Sequence, residues 1–180
     1  MLKITREQIL DYQTYSDRRD EIRSEVLPVK RARRIHVGKY LTFLFENTQT
    51  VRYQIQEMMR IERIVRDQDI QHEIDTYNEL IGNDGELGCV LLIEIETPEE
   101  RAEKLVSWLR LPHHLYVQTE DGDKCYARFD ERQVGDVRVS SVQYLKFDTQ
   151  GKTPVRVGSD LPELNVFATL NEDQRTALNS

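Results

Sequence analysis

Leu87 to Ile95 reads Leu-Gly-Cys-Val-Leu-Leu-Ile-Glu-Ile, a near-continuous apolar run of strand length with one charged residue. A strand that can bury both of its faces sits at the centre of a sheet, because a solvated face demands polar residues at every second position. The rest of the chain must therefore supply cover for two faces. Helical periodicity before the run and short alternating segments after it provide that cover, which predicts an α+β protein organised around this strand.

Ser16 is placed to cap a helix that Pro28 ends or kinks. Arg34 to Val37 and Leu41 to Phe45 flank Gly38 and read as a β-hairpin. Thr48 or Thr50 can open the next helix, running to about Val65, and Asp67 or Asp69 a further one closed by Gly82-Asn83-Asp84-Gly85. Thr97-Pro98-Glu99-Glu100 carries the full start signature of a helix: a threonine cap, proline at the first position and glutamate three residues after the cap. From Leu115 the alternating runs, broken by turn residues such as Glu120-Asp121-Gly122-Asp123 and Gly158-Ser159-Asp160, predict an antiparallel meander. Asn171 caps a short helix expected to end at Ser180. The order is thus N-terminal helices and hairpin, helical pair, central buried strand and C-terminal meander. Residues 1–180 form a single domain in this reading, with halves at 1–110 and 111–180.

The longest uninterrupted apolar stretch, Cys89 to Ile93, falls far short of the roughly 18 residues that span a bilayer. Met1-Leu2-Lys3-Ile4-Thr5-Arg6-Glu7 turns charged at once, unlike a signal peptide, so a cytoplasmic, membrane-free protein is expected. Cys89 and Cys125 lie 36 positions apart and fit reduced, structural thiols. A formal net charge of −7 argues against general nucleic-acid binding, which draws its affinity from cations on phosphate. The exception is a basic N-terminal region, Arg18, Arg19, Arg23, Lys30, Arg31, Arg33 and Arg34, that can dock an acidic partner or remain a solvated face. Arg31, Arg33 and Arg34 are its candidate partner-binding residues.

A helical turn of about 100° per residue aligns Val51, Ile55, Met58 and Val65, with Glu62 projecting from that stripe. A carboxylate among apolar side chains needs a raised pKa, an arginine or a metal. Glu73 on the following helix and Glu57 could approach Glu62 if the two helices pack antiparallel. Glu57, Glu62 and Glu73 are therefore candidate ligands for a divalent or iron ion; the alternative is pairing with Arg60, Arg63, Arg66 or a more distant arginine. The paired Glu-x-x-His of di-iron bundles is absent. Glu94, sharing a strand face with Gly88, Val90 and Leu92, marks either a site or the point where that face meets water. His113-His114 falls in a loop with no accompanying nucleophile signature. The eight glycines take neither dinucleotide-binding nor P-loop spacing, so nucleotide enzymes of those classes are disfavoured.

Leu44-Phe45-Glu46-Asn47, Thr50-Val51, the block Gln54 to Ile64, Tyr77-Asn78-Glu79-Leu80 and Leu91-Leu92-Ile93-Glu94-Ile95 resemble the bacterial family called domain of unknown function 3501. The resemblance extends over nearly the whole chain, and its most specific part is the central block through Glu62. It brings no assigned reaction and no catalytic residues. It does imply a setting beside rubrerythrin-like proteins and iron–sulfur proteins related to heterodisulfide reductase. The expectation is a non-catalytic accessory or interaction protein of a cytoplasmic redox or stress-response system, with such proteins as partners and homo-oligomerisation open. A metal-binding protein or metal-dependent enzyme built on Glu62 is the alternative, and a small-ligand sensor with its pocket between the helical half and the meander is a third.

Overall fold

The computed structural model describes residues 2–131 and 134–179. Met1 and Ser180, the expected end of the terminal helix, lie outside the described residues. The described chain is α+β, five α-helices on two antiparallel sheets.

Helix α1 (Tyr12–Ala32) begins five residues earlier than a Ser16 cap suggests, because Asp11 accepts the Thr14 backbone N–H at 3.0 Å and caps it. The helix continues through Pro28. Proline removes one intrahelical hydrogen bond, and here it does so in the final turns, where few bonds remain to be lost. Strands β1 (Arg34–Val37) and β2 (Leu41–Glu46) form the expected hairpin. Helix α2 (Thr48–Glu62) is capped by Asn47, not by Thr48 or Thr50. It stops at Arg63, whose φ of 55° turns the chain into helix α3 (Asp67–Asn78). The buried strand is β3 (Glu86–Ile93), and α4 (Pro98–Ser107) starts at the Thr97 cap.

The C-terminal strands are antiparallel but divided between the sheets. Strands β4 (Leu115–Thr119), β5 (Lys124–Tyr126), β7 (Pro154–Leu161) and β8 (Leu164–Thr169) make one sheet in the order β5-β4-β7-β8. Strand β6 (Val142–Asp148) leaves it to pair with β3, completing the order β1-β2-β3-β6. Residues from both halves of the chain thus share one sheet, and β3 gains a neighbour on each side. The sheets also meet at their edges, β1 lying beside β8 and β5 beside β6. Helix α5 (Glu172–Leu178) follows Asn171.

Two apolar clusters result. The larger lies between the sheets and joins Phe43, Phe45, Leu91, Phe147, Val117 and Val157 with Trp108 from the end of α4. The smaller joins Val51, Ile55 and Met59 of α2 to Ile70 and Ile74 of α3 and to Ile4 and Ile9 of the N-terminal segment.

Candidate functional site

The helical layer meets the first sheet through a tight connection. Leu80 lies so close over β3 that a Cβ on Gly88 would stand 1.8 Å from the Leu80 carbonyl oxygen. Only a residue without a side chain lets that backbone lie flat on the strand. Glu86 then locks the turn, accepting from the Asn83 backbone N–H at 3.1 Å and from Asn83 Nδ2 at 2.6 Å. Its buried carboxylate also forms an ion pair with Arg128. Arg128 is held opposite by two backbone hydrogen bonds with Lys146 on the outer edge of β6, at 2.8 and 2.9 Å.

These constraints leave a cleft of about 720 Å³ between the end of α3 and the edge of β6. Tyr77 and Leu80 form the helical wall, Tyr144 and Lys146 the strand wall, and Cys89 and Leu145 line its depth. Phe129 and Asp130 extend the Arg128 side. The Tyr77 phenol is pushed above its usual range by burial, reinforced by Glu73. Lys3 caps the end of α3, donating to the carbonyls of Asn78 at 2.6 Å and Ile81 at 2.8 Å. Burial lowers its ammonium pKa and nearby Lys146 lowers it further, so positive charge gathers on this side of the cleft. Tyr144 is 49% exposed, and the half-buried Val90 and Leu92 continue an apolar surface along the sheet. The arrangement offers aromatic faces, an exposed arginine anchored on a buried carboxylate and a further cation at Lys146, the groups of a recognition surface. The Cys89 thiol is no nucleophile, since burial pushes its pKa far up and the Glu46 carboxylate adds to the effect.

The candidate carboxylates do not converge. Glu57 faces α1, accepting from Tyr15 Oη at 2.7 Å, Arg19 Nε at 2.7 Å and Arg19 Nη2 at 2.8 Å. The Arg19 hydrogen bonds hold its carboxyl at about 2, against the opposing effect of burial. Glu62 is exposed instead of projecting into the core, because it is the last helical residue and the buried stripe runs Val51, Ile55, Met59. Val65, the expected end of that stripe, is likewise exposed. Glu73 is half-buried beside Tyr77, whose phenol also feels Glu62. Among the described residues no group of three or more His, Cys, Asp or Glu side chains is arranged to hold a metal ion.

The basic segment is divided as well. Arg33 is 1% exposed and points inward toward Glu46; burial lowers its guanidinium to about 10 and pushes the Glu46 carboxyl up. Arg31 and Arg34 are exposed, with Arg34 Nη2 at 3.8 Å from Glu94. Glu94 also accepts from Thr42, whose Oγ1 lies 2.8 Å from His36 Nδ1. With the hydroxyl proton given to Glu94, His36 must donate through Nδ1. Arg19 and Arg23 are engaged inside the helical layer, Arg23 donating to Tyr53 Oη at 3.1 Å. His113 packs edge-on against Phe129 at 4.9 Å, and His114 bonds Asp160.

The cleft residues escape sequence reasoning because they come from three segments that only the β3–β6 pairing brings together. The signal was partial: Tyr144 and Lys146 alternate with the buried Leu145 and Phe147, so they mark an outward face.

No helix among the described residues is long and apolar enough to cross a membrane. No curated protein matches the chain. A solved structure of a novel protein of unknown function from Burkholderia pseudomallei is 28% identical, with a TM-score of 0.87, and the match covers 99% of this chain and 98% of that one. The family model described as protein of unknown function, DUF3501, matches residues 3–180, and the chain belongs to that family.

Proposed function

We propose that the protein is a non-catalytic interaction protein that docks a partner across the cleft between α3 and β6. The observation that carries this reading is the composition of the cleft and its margin. Tyr77, Tyr144, Phe129 and Arg128 are the residue types that dominate binding energy at protein interfaces, and the exposed Arg128 side chain is anchored there by the buried Glu86 carboxylate. Further support comes from Glu57, a carboxylate that sequence alone left open and that Arg19 consumes, and from Cys89, which is buried in the core. The family setting argues for a cytoplasmic redox or stress-response system, with a rubrerythrin-like or iron–sulfur protein as partner.

The division of the basic segment moves the proposed contact away from Arg31, Arg33 and Arg34 and onto the cleft. A photo-crosslinking side chain at position 144 tests this in extracts of the native host. A discrete partner should be captured, and Lys146→Glu should abolish its capture while the fold is retained. An equal yield from Lys146→Glu would overturn the reading.

A further inference from the structure

The outer face of the first sheet, on the side away from the core, carries apolar side chains that neither hydrophobic cluster takes up. Register places them in two cross-strand rows over β1, β2, β3 and β6. One runs Arg34, Leu44, Val90, Tyr144 and the other His36, Thr42, Leu92, Val142. Leu44, Val90 and Leu92 are half-buried and Val142 is 38% exposed. All four stand outside both the core between the sheets and the core of the helical layer. A strand face turned to water ordinarily reads polar at these positions. Apolar side chains directly opposite one another on β2, β3 and β6 instead make one continuous floor.

The two ends of the floor differ. On the β1 side its polar groups satisfy one another: Glu94 accepts from Thr42 and stands 3.8 Å from Arg34, and Thr42 Oγ1 lies 2.8 Å from His36 Nδ1. On the β6 side the floor runs into the cleft, because Tyr144 belongs to both. Lys146 follows Tyr144 on the same face of β6, opposite Gly88. Among the described residues, neither Lys146 nor Lys3 forms an ion pair with a carboxylate. Burial lowers the Lys3 ammonium and the charge of Lys146 lowers it again, with Glu79 acting against both. Two cations that repel each other at the cleft wall leave a positive potential that an incoming carboxylate relieves.

The size of the floor selects its occupant. Three strands about 4.8 Å apart and two rows about 7 Å apart span roughly 200 Å². Each copy in a stable dimer gives about 800 Å², and a second copy of this chain would bring a net charge of −7 against an identical charge. We propose that the docking partner lays a short segment across β6, β3 and β2, its apolar side chains on Tyr144, Val90, Leu92 and Leu44 and a carboxylate between Lys3 and Lys146. This partner chemistry rests on the cleft being a docking surface, and it fixes in addition the path of the segment and its charge.

A diazirine analogue of leucine at position 44, two strand spacings or roughly 10 Å from Tyr144, tests the path in extracts of the native host beside the crosslinker at 144. Both positions should capture one partner through one stretch of its sequence, apolar with an aspartate or glutamate within it, read by mass spectrometry of the crosslinked peptides. Lys3→Gln combined with Lys146→Gln should lower capture at both positions roughly tenfold or more. Val142→Glu, an exposed change that leaves the Lys3 contacts to α3 in place, should do the same and gives a second reading if the doubly neutralised protein folds poorly. Capture at 144 without capture at 44 overturns this path and leaves the cleft reading standing, whereas capture at neither removes both. The proposal is equally overturned if position 44 captures only a second copy of this chain, if the captured stretch carries no carboxylate, or if neither the lysine changes nor Val142→Glu alters the yield.

Discussion

Arg19 grips Glu57 with two hydrogen bonds, Nε to Oε1 at 2.7 Å and Nη2 to Oε2 at 2.8 Å, and so fastens α1 to α2. A fork-to-fork pair of this kind is directional as well as strong, and the Tyr15 hydroxyl completes it. Glu57→Gln should cost roughly 2–4 kcal/mol, since one partner of a largely desolvated pair is left unmatched. Thermal denaturation should show a loss of roughly 5–10 °C. Glu62→Gln, on an exposed residue, should move Tm by no more than about 2 °C. Equal effects of the two variants would refute this assignment.

The same pair sets an acid limit. The Glu57 carboxyl is held at about 2 in the fold, below the range of an ordinary carboxylate near 4.3. A depressed carboxylate contributes stability that is full above its unfolded pKa and is lost as pH falls toward its folded pKa. Denaturant melts between about pH 5 and pH 2 should therefore show a decline that is shallower in Glu57→Gln.

Gly88 carries the close crossing of Leu80 over β3. Gly88→Ala should cost roughly 3 kcal/mol or more, because a backbone carbonyl cannot step aside as a side chain can. A melting temperature equal to the parent's would show that the crossing relaxes.

Arg33 and Arg31 carry the same charge two positions apart and should respond in opposite ways. Arg33→Glu places a second carboxylate, itself buried, beside the half-buried Glu46 and should abolish soluble folded protein. Arg31→Glu, exposed, should stay within about 0.5 kcal/mol of the parent. Circular dichroism melts of the two variants check the contrast.

Cys89 is fully enclosed, whereas Cys125 is partly open. A thiol reagent should label Cys125 in the native protein and Cys89 only at the rate of global unfolding. Fast labelling of both would mean that the β2–β3 core opens locally.

Much of the architecture was legible because it rests on local chemistry. The Thr97 cap, the hairpin around Gly38 and the continuous apolar run of β3 each state their structure within a few residues. Glu62 was misplaced because a helical wheel has no end: it extends the stripe past the last residue that finds a core to pack against. Arg33 was read as surface because charge alone does not reveal that Glu46, thirteen positions later, waits inside. The division of the C-terminal strands was hidden for a related reason. Nothing within Val142 to Asp148 announces that its partner is β3, and the cleft depends wholly on that pairing.

The meeting of the two sheets at their margins bears on how the chain behaves when damaged. Strand borders that leave backbone N–H and C=O groups unpaired recruit strands from other molecules. Here Arg128 covers β6, and β1 lies beside β8, the last strand of the chain. A truncation before Leu164 uncovers β7 and the flank of β1 together, so the first consequence of losing the C-terminal strand should be aggregation, visible as light scattering, with fibril-like pairing between truncated copies.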